Sequence, residues 1–477
     1  MTADRYDAVV VGGGPNGLAA AITLARAGRS VALFEAETTI GGGMRSAELT
    51  LPGFVHDVCS AIHPLARASP FFSTLGLERH GLEWIEPPIS LAHPLDDGSA
   101  ALVRRDLDET AASLGRDGAA YRRLVGPTVS RWDALIIDVL APFHIPLRPD
   151  RALDLARFGL LAIQPAMWLA HRFRDAPARA LLAGCGAHSM LRLEELVSGA
   201  FVVMFLASAH AVGWPIAGGG SARIAQALAA SLAEVGGEIV TDSRIDRLDQ
   251  LPAHRAALFD VTPRQLLAIA DDRLGGRYAR RLRGYRYGPG TFKLDLALDA
   301  PIPWRNPALT DAGTVHLGGT LEEIAAAEAA VSAGRLPARP FVLLAQHSLF
   351  DPSRAPAGHH TVWAYCHVPN GSPVDMSERI IDQIERFAPG VRDRIVARHA
   401  MGPAALEAYN ANYVGGDING GRQDLRQLFT RPAVRLDPYT TPDPGIFLCS
   451  SSTPPGGGVH GMCGHLAARS ALRRALR

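Results

Sequence analysis

The sequence is poor in lysine and has almost no net charge. Its 477 residues contain 48 lysines and arginines against 47 aspartates and glutamates, and Lys293 is the single lysine among them. A formal net charge of +1 gives no broad positive field of the kind that attracts nucleic acid or an acidic membrane. We therefore expect no nucleic-acid partner.

The five cysteines form no Cys-x-x-Cys pair. A flavin disulfide reductase needs such a dithiol, so the sequence argues against that class of enzyme, and a reduced cytoplasmic setting is the simplest expectation. No charged and then apolar leader precedes the first predicted strand. The histidines show no spacing typical of metal ligands, and we predict no metal site.

The N-terminal segment carries a complete dinucleotide-binding β-α-β pattern. A short apolar strand ends at Gly12, an alanine-rich helix follows Gly17, and a second strand leads into Glu35. In this pattern Gly12 allows a sharp turn, Gly14 lets the backbone approach a pyrophosphate, and Gly17 lets the helix pack on the strand. The helix N-terminus would bind phosphate, and Glu35 would accept hydrogen bonds from a ribose.

A second glycine-rich turn, Gly41-Gly42-Gly43-Met44-Arg45, follows shortly after Glu35. A plain NAD-binding dehydrogenase has no need of it, whereas the longer flavin dinucleotide must be followed by backbone beyond the first loop. The run is similar to the FAD-binding continuation of the amine oxidase and phytoene desaturase flavoproteins. Arg45 would then place a fixed positive charge near a phosphate or the flavin.

The C-terminal region supplies another glycine-rich motif. Residues 445–449 predict a buried strand and 450–455 a turn, followed by Gly456-Gly457-Gly458-Val459-His460-Gly461-Met462 at the entry to a closing helix. With segments 287–293 and 412–417, this motif resembles the pyridine nucleotide-disulfide oxidoreductase domain-containing proteins of the phytoene desaturase and carotenoid isomerase family. The resemblance implies that the closing helix points its N-terminus at the pyrimidine side of a flavin.

The motifs and the resemblance together predict an α/β fold that binds FAD. The fold would be a Rossmann-like, doubly wound FAD domain (residues 1–90, 216–265 and 436–477) interleaved with a mostly helical part (91–215) and an α+β substrate domain (266–435). The predicted FAD-binding residues are Gly12, Gly14, Pro15, Asn16, Gly17, Glu35, Ala36, Gly42, Gly43, Met44, Arg45, Ile245, Gly458, His460, Gly461 and Met462.

Two apolar segments, 153–169 and 196–217, suggest walls for an apolar substrate cavity. The second lacks acidic residues, lysine and arginine and is long enough to span a bilayer. Gly199, Gly213 and Pro215 favour a buried or substrate-lining helix instead. Peripheral membrane contact is the alternative, and the sequence leaves the oligomeric state open.

Lys293 lies on a predicted strand over residues 291–298, with Asp295 on the same face. In amine oxidase relatives a strand lysine reaches the N5 side of the flavin through water, so the resemblance implies a catalytic role for Lys293. The competing interpretation is a structural pair with Asp295 on a half-exposed strand. Both interpretations stay open at this point.

The predicted function is an FAD-dependent oxidoreductase, a desaturase or oxidase, that takes a hydride from an apolar terpenoid, carotenoid or acyl-like molecule. Oxygen or a quinone would reoxidise the flavin, because no second dinucleotide fingerprint lies between residues 100 and 430. The alternatives are a double-bond isomerase, an amine oxidase and a non-catalytic FAD-binding scaffold. No aromatic pair for an amine cage is evident. The scaffold is suggested by Ser450-Ser451-Ser452, where many relatives place an acid.

Overall fold

The computed structural model describes residues 5–477. Its strands are β1 Ala8–Val11, β2 Val31–Phe34, β3 Ser46–Glu48, β4 Val55–Asp57, β5 Trp84–Ile85, β6 Ile89–Pro94, β7 Ala100–Arg104, β8 Ile216–Ala217, β9 Glu238–Val240, β10 Ala256–Phe259, β11 Gly290–Leu298, β12 Ala312–Leu317, β13 Val342–Ala345, β14 His360–Val368, β15 Ile395–Met401 and β16 Ile446–Leu448.

The α-helices are α1 Pro15–Arg26, α2 Pro64–Arg67, α3 Leu107–Ser113, α4 Gly118–Val129, α5 Trp132–Val139, α6 Pro149–Ala162, α7 Ala166–Ala170, α8 Ala176–Ala187, α9 Ser198–Ala211, α10 Ala222–Glu234, α11 Pro263–Leu274, α12 Gly276–Arg283, α13 Leu321–Ser332, α14 Ser377–Phe387, α15 Pro403–Tyr409, α16 Leu425–Leu428 and α17 Met462–Arg474.

A five-stranded parallel sheet, in the order β16-β10-β1-β2-β9, forms the nucleotide-binding part of the fold. Its central strands are buried throughout, as expected for a parallel sheet with helices on both faces. Pro15 opens α1, where its fixed φ suits the first helical position. Helix α17 packs on α1 at Gly464, where a side-chain carbon would lie only 1.7 Å from the Asn16 carbonyl oxygen. The predicted Rossmann-like α/β fold is confirmed.

A mixed seven-stranded sheet, in the order β15-β11-β14-β13-β12-β6-β7, forms the second layer. Its long strand β11, next to the edge strand β15, pairs antiparallel with β14 and β15 and is buried along its whole length. Phe292 and Leu294 face an apolar core under the sheet, and Lys293 and Asp295 face the other way, as the alternation predicts. The expectation that this strand is half-exposed is wrong, because both of its faces are covered.

The helices α3–α9 lie between β7 and β8 in the chain. Helix α9 is the core of predicted segment 196–217, and most of its residues are buried. Among residues 5–477, every helix is too short or too polar to cross a bilayer.

The prediction that segment 153–169 lines a cavity is wrong. Helices α6 and α7 pack on the outside of α9, so Leu153 and Leu160 on α6 are 51% and 69% exposed and Trp168 on α7 is 63% exposed.

The predicted domain boundaries stay predictions, but strand pairing shows which segments share a sheet. Strands β6 and β7 join the seven-stranded sheet, although they lie at the start of the segment predicted to be mostly helical. The chain therefore enters the second sheet before the helices α3–α9 and returns to it after α12.

Candidate functional site

One cavity of about 480 Å³ runs from the glycine turn after β1 to the seven-stranded sheet. Its nucleotide end lies at the carboxyl ends of the parallel strands, the usual ligand position in such sheets. Its far end lies between α8, α9 and strands β12–β14. The predicted cofactor contacts that line it are Gly12, Gly14, Pro15, Asn16, Glu35, Ala36, Gly42, Gly43, Arg45, Ile245 and Gly458.

Five predicted cofactor contacts do not line this cavity. Met44 is fully buried in the core, and the Gly17 N–H donates to Asp260 at 2.9 Å. Gly461 caps α17 with a φ of +67°, and the neighbouring Met462 N–H donates to the His460 ring. Burial lowers the pKa of His460 to about 4. These residues shape the loops that bear the lining residues, and direct contact with FAD stays a prediction for each of them.

The two N-terminal glycine turns touch each other. Gly12 has a φ of +103°, a backbone conformation that favours glycine. A side-chain carbon on Gly42 would lie 3.1 Å from the Gly14 Cα. At the start of α1, Pro15 has no N–H and the Gly17 N–H donates to Asp260, so within the described residues the Asn16 N–H of the first turn is left to a ligand. The two turns therefore present bare backbone on one wall of the cavity, as a pyrophosphate requires.

Glu35 is buried at the end of β2, where it accepts a hydrogen bond from the Gly13 N–H at 2.7 Å. Its other oxygen accepts from Arg45 at 3.1 Å. Arg45 also donates to the Thr39 carbonyl at 2.7 Å and lies over the ring of Tyr409. Arg45 thus neutralises Glu35 within the protein, and its predicted contact with phosphate or flavin stays a prediction.

Asp260 is a cavity residue that the sequence analysis missed. It directly follows β10, and its buried carboxylate accepts from the Gly17 N–H at 2.9 Å, inside the first glycine turn. Burial raises the pKa of Asp260 to about 7, and the charge of Glu35 adds to that shift. Its position at the carboxyl end of the return strand was a usable signal, because ligands bind at that edge. A phosphate here is compatible with a neutral Asp260.

The middle of the cavity is formed by the second glycine turn and the C-terminal motif. Gly43 lies beside Cys59 and the hydroxyl of Tyr413, and the opposite wall carries Ser450–Ser452 and Gly458. Burial raises the pKa of the Cys59 thiol. A planar ring system entering this gap would meet backbone and small side chains on both sides.

The far end of the cavity is aromatic. Trp363 and Tyr365 on β14 make an edge-to-face contact with ring centroids 5.2 Å apart. Phe205 and Trp214 make a similar contact at 5.6 Å. The aromatic pair that sequence reasoning failed to find is therefore present. Each pair lies within one segment of the chain, 196–217 for Phe205 and Trp214 and β14 for Trp363 and Tyr365, but only the fold brings both pairs to one end of the cavity.

Lys293 does not line the cavity. Its ammonium group is paired with Asp295, and both side chains are buried. His56 and His399 also face the Asp295 carboxylate, at 3.5 Å and 3.7 Å. The predicted pair therefore exists, and it forms part of a buried cluster. A catalytic role for Lys293 stays a prediction.

Comparisons with known proteins agree with this fold. Residues 10–75 match the family described as NAD(P)-binding Rossmann-like domain. Pyridine nucleotide-disulfide oxidoreductase domain-containing protein 2 of Rattus norvegicus is 27% identical over 548 residues, covering 98% of this chain and 94% of that protein. One of the limonene dehydrogenase polypeptides of Castellaniella defragrans is 32% identical over 112 residues, 24% of this chain and 20% of that protein. Putrescine oxidase with bound putrescine superposes with a TM-score of 0.62 at 17% identity, covering 98% of both chains.

The chain shares the fold of putrescine oxidase, and FAD is the cofactor that the Rossmann-like domain and its cavity indicate. The first glycine turn and Glu35 line the end of the cavity predicted to take the nucleotide half that NAD and FAD share. Beyond it, the cavity continues along Gly42, Gly43 and Gly458 to a gap walled by small residues. That continuation suits the longer flavin half of FAD.

Proposed function

We propose that this protein is an FAD-dependent oxidoreductase that takes a hydride from an apolar small molecule of terpenoid, carotenoid or acyl type. One observation carries the proposal: the dinucleotide cavity continues without a break into the aromatic end formed by Phe205, Trp214, Trp363 and Tyr365. A substrate held there would lie next to the flavin half of the cofactor. The 32% identity of one segment to a limonene dehydrogenase polypeptide is consistent with such a substrate.

The chain's own residues would bind and orient the substrate. Bound FAD supplies the hydride acceptor. Phe205, Trp214 and Leu343 would cover the apolar body of the substrate and exclude water. Among the described residues that line the aromatic end, none is an aspartate, glutamate, lysine or arginine, so a neutral, apolar molecule is the best match.

The test is anaerobic flavin reduction by the FAD-loaded protein. Mixing with a terpene hydrocarbon, a carotene or a long-chain acyl ester should bleach the flavin absorbance with at least one of them. The Phe205→Ala variant should need a higher concentration of that substrate for the same rate. Phe143→Ala is the matched control, because Phe143 is 76% exposed on the surface. An oxidised flavin that stays unbleached with all three classes would contradict the proposal.

Amine oxidation is the second candidate, and the Trp363–Tyr365 pair favours it. Aromatic faces attract an ammonium group. The fold likeness to putrescine oxidase concerns the fold alone. The candidate is weaker because Glu328, a buried acid whose charge acts on Tyr365, is already bonded to His367 at 2.9 Å and does not line the cavity. Bleaching of the flavin by a primary amine and by none of the apolar probes would favour it.

The same experiment separates the remaining alternatives. Product formed by prereduced protein without net bleaching indicates a double-bond isomerase. Neither product nor bleaching, with FAD retained, indicates a binding scaffold. Reoxidation after substrate bleaching, followed with oxygen and with a soluble quinone, tests the proposed external acceptor.

Peripheral membrane contact remains a proposal, now with a defined surface. Exposed apolar side chains cluster before and along α6, among them Phe143, Ile145, Leu147, Leu153 and Leu160. Sedimentation with neutral phospholipid vesicles tests it, with Leu153→Ser/Leu160→Ser as the variant expected to lose binding. Equal sedimentation of parent and variant would contradict it.

A further inference from the structure

We propose that the aromatic end of the cavity contains a recognition site, built from His188 and Thr314, for the hydroxyl group of an otherwise apolar substrate. The inference rests on the proposed function, because it names the kind of molecule that the same cavity takes. Both side chains line the cavity.

His188 is the cavity-facing member of a cluster of three histidines, His93, His188 and His316. It follows α8 and packs against Phe205 and Trp214, with ring centroids 4.7 Å and 6.0 Å away. Its Nε2 lies 2.9 Å from the Nε2 of His316, which is fully buried on β12. Within the described part of the chain, the Nδ1 of His188 has no hydrogen-bond partner. That nitrogen is left to a ligand.

A backbone carbonyl fixes the tautomer of the third histidine. The third member, His93 on β6, must donate from Nε2 to the Gly319 carbonyl, 2.8 Å away, which leaves its Nδ1 as a bare acceptor. The Nδ1 atoms of His93 and His316 face the same point beside Gly184. A side-chain carbon there would lie 3.2 Å from the former and 2.6 Å from the latter. No hydrogen bond joins these two nitrogens among the described residues, and the proposal places the proton of His316 on its Nδ1, facing the bare nitrogen of His93.

With the proton on that Nδ1, the Nε2 of His316 is bare and accepts from His188. A neutral imidazole carries one proton, so the Nδ1 of His188 is then an acceptor. Burial lowers the pKa of His93 to about 4 and of His188 to about 3, which keeps both rings neutral at pH 7. Burial also holds the pKa of His316 well below its usual value. The cavity therefore ends in a neutral acceptor that needs a donor from the ligand.

Thr314 supplies the second half of the site. It lies two residues before His316 on β12, so both side chains project from the same face of the sheet, about 7 Å apart. Its hydroxyl is buried and has no partner among the described residues. The indole N–H of Trp363, two strands away, is also unpaired, whereas that of Trp214 donates to the Ser208 hydroxyl at 3.0 Å. A substrate hydroxyl would donate to His188 and accept from Thr314 or Trp363.

An ionic head group does not suit this end of the cavity. An ammonium or carboxylate would be buried among neutral imidazoles and aromatic rings without a counterion, and such burial is costly. A hydroxyl group can hydrogen-bond to the unpaired groups without bringing a net charge into the buried site. Unpaired buried polar groups discriminate strongly against ligands that lack the matching group, so the site would select alcohols over hydrocarbons of the same shape.

The test compares three probes of one shape on FAD-loaded protein: geraniol, its methyl ether and 2,6-dimethylocta-2,6-diene. Dissociation constants would come from quenching of tryptophan fluorescence. Geraniol should bind about tenfold more tightly than the ether, which cannot donate, and than the hydrocarbon. His188→Phe should remove the preference while the hydrocarbon still binds, and Thr314→Val should reduce it.

A second measurement addresses the tautomers directly. The ¹⁵N NMR signals of His188 should show a protonated Nε2 and a bare Nδ1, and His93→Leu should disturb that pattern although it leaves His188 in place. Thr314→Val and the NMR measurement keep the proposal testable if His188→Phe does not fold. A hydrocarbon that binds as tightly as geraniol would overturn this site and leave the proposed function standing. Tighter binding of geranylamine than of geraniol would overturn it as well. Failure of every apolar probe to bind, with FAD in place, would instead overturn the proposed function.

Discussion

The buried Asp260 should make FAD affinity depend on pH. Its carboxyl lies inside the glycine turn that the pyrophosphate is expected to occupy, and its Oδ2 stands 2.9 Å from where a side chain on Gly14 would begin. Burial raises the pKa of Asp260 to about 7. An anion bound beside it favours the protonated form. The affinity for FAD should therefore be high at pH values below 7 and should fall progressively above pH 7.

The expected size follows from proton linkage. If FAD binds only the protonated form, the rise in the dissociation constant approaches tenfold for each pH unit above the pKa and amounts to about 50-fold from pH 7 to pH 9. Asp260→Asn keeps an acceptor for the Gly17 N–H but carries no charge, so its affinity should stay flat over that range. Fluorescence titration of the apoprotein with FAD measures both. Asp246→Asn is the matched control, because Asp246 lines the nucleotide end but is exposed.

The same carboxyl should affect the stability of the apoprotein. Its pKa is raised on folding from 3.8 to about 7, so its favourable contribution is complete below pH 3.8 and is lost as pH rises through 7. The loss amounts to about 4 kcal/mol. At pH 8, Asp260→Asn should unfold at a higher urea concentration than the parent. A parent protein whose FAD affinity is constant with pH, or an Asn variant with the parent's slope, would refute the reasoning.

Four further predictions concern residues of the site and the buried lysine. Gly14→Val should lose FAD on gel filtration, because its Cβ would lie 2.9 Å from the Asp260 carboxylate. The control Gly159→Ala, in open space on α6, should retain FAD. Equal retention by the two variants would contradict the pyrophosphate assignment. Glu35→Gln should weaken FAD about tenfold without changing the circular dichroism spectrum, since it removes a charged acceptor, and an unchanged affinity would remove the ribose role. Lys293→Met should lower the free energy of unfolding by about 3–5 kcal/mol, because it leaves the buried Asp295 carboxylate without its ammonium partner. The double variant Lys293→Met/Asp295→Leu should recover much of that loss. Urea denaturation of both variants measures the two changes. If Lys293 also acts in catalysis, Lys293→Arg should reduce flavin about 10²–10⁴-fold more slowly at equal FAD occupancy, and near-equal rates would assign it a structural role only.

The nucleotide end was predictable because its signals are local. Gly12, Gly14 and Glu35 lie within one β-α-β unit, and each has a physical role that the spacing alone identifies. The pairing of Lys293 with Asp295 was also visible, since side chains two apart on a strand share a face. The burial of that pair was not, because the layer that covers it contains His56 on β4, far away in sequence.

The aromatic end of the cavity could not be predicted from local sequence signals. His93, His188 and His316 come from two strands and the end of a helix, and only the folded sheet brings their rings together. The apolar segment 153–169 was assigned to the cavity from its hydrophobicity. Hydrophobicity predicts that a helix packs against the protein, but not whether it packs on the inner or the outer layer. Helices α8 and α9 already fill the inner layer, which leaves α6 outside.

The pairing of β16 with β10 has a consequence for synthesis of the protein. The strand and the following motif, which carries Ser450–Ser452 and Gly458, complete a cavity whose first wall is made by β1 and α1 at the other end of the chain. N-terminal segments leave the ribosome first. The glycine turns are therefore translated long before their opposite wall exists. A nascent chain cannot enclose the flavin, so cofactor loading should be a late, post-translational event that depends on the supply of free FAD.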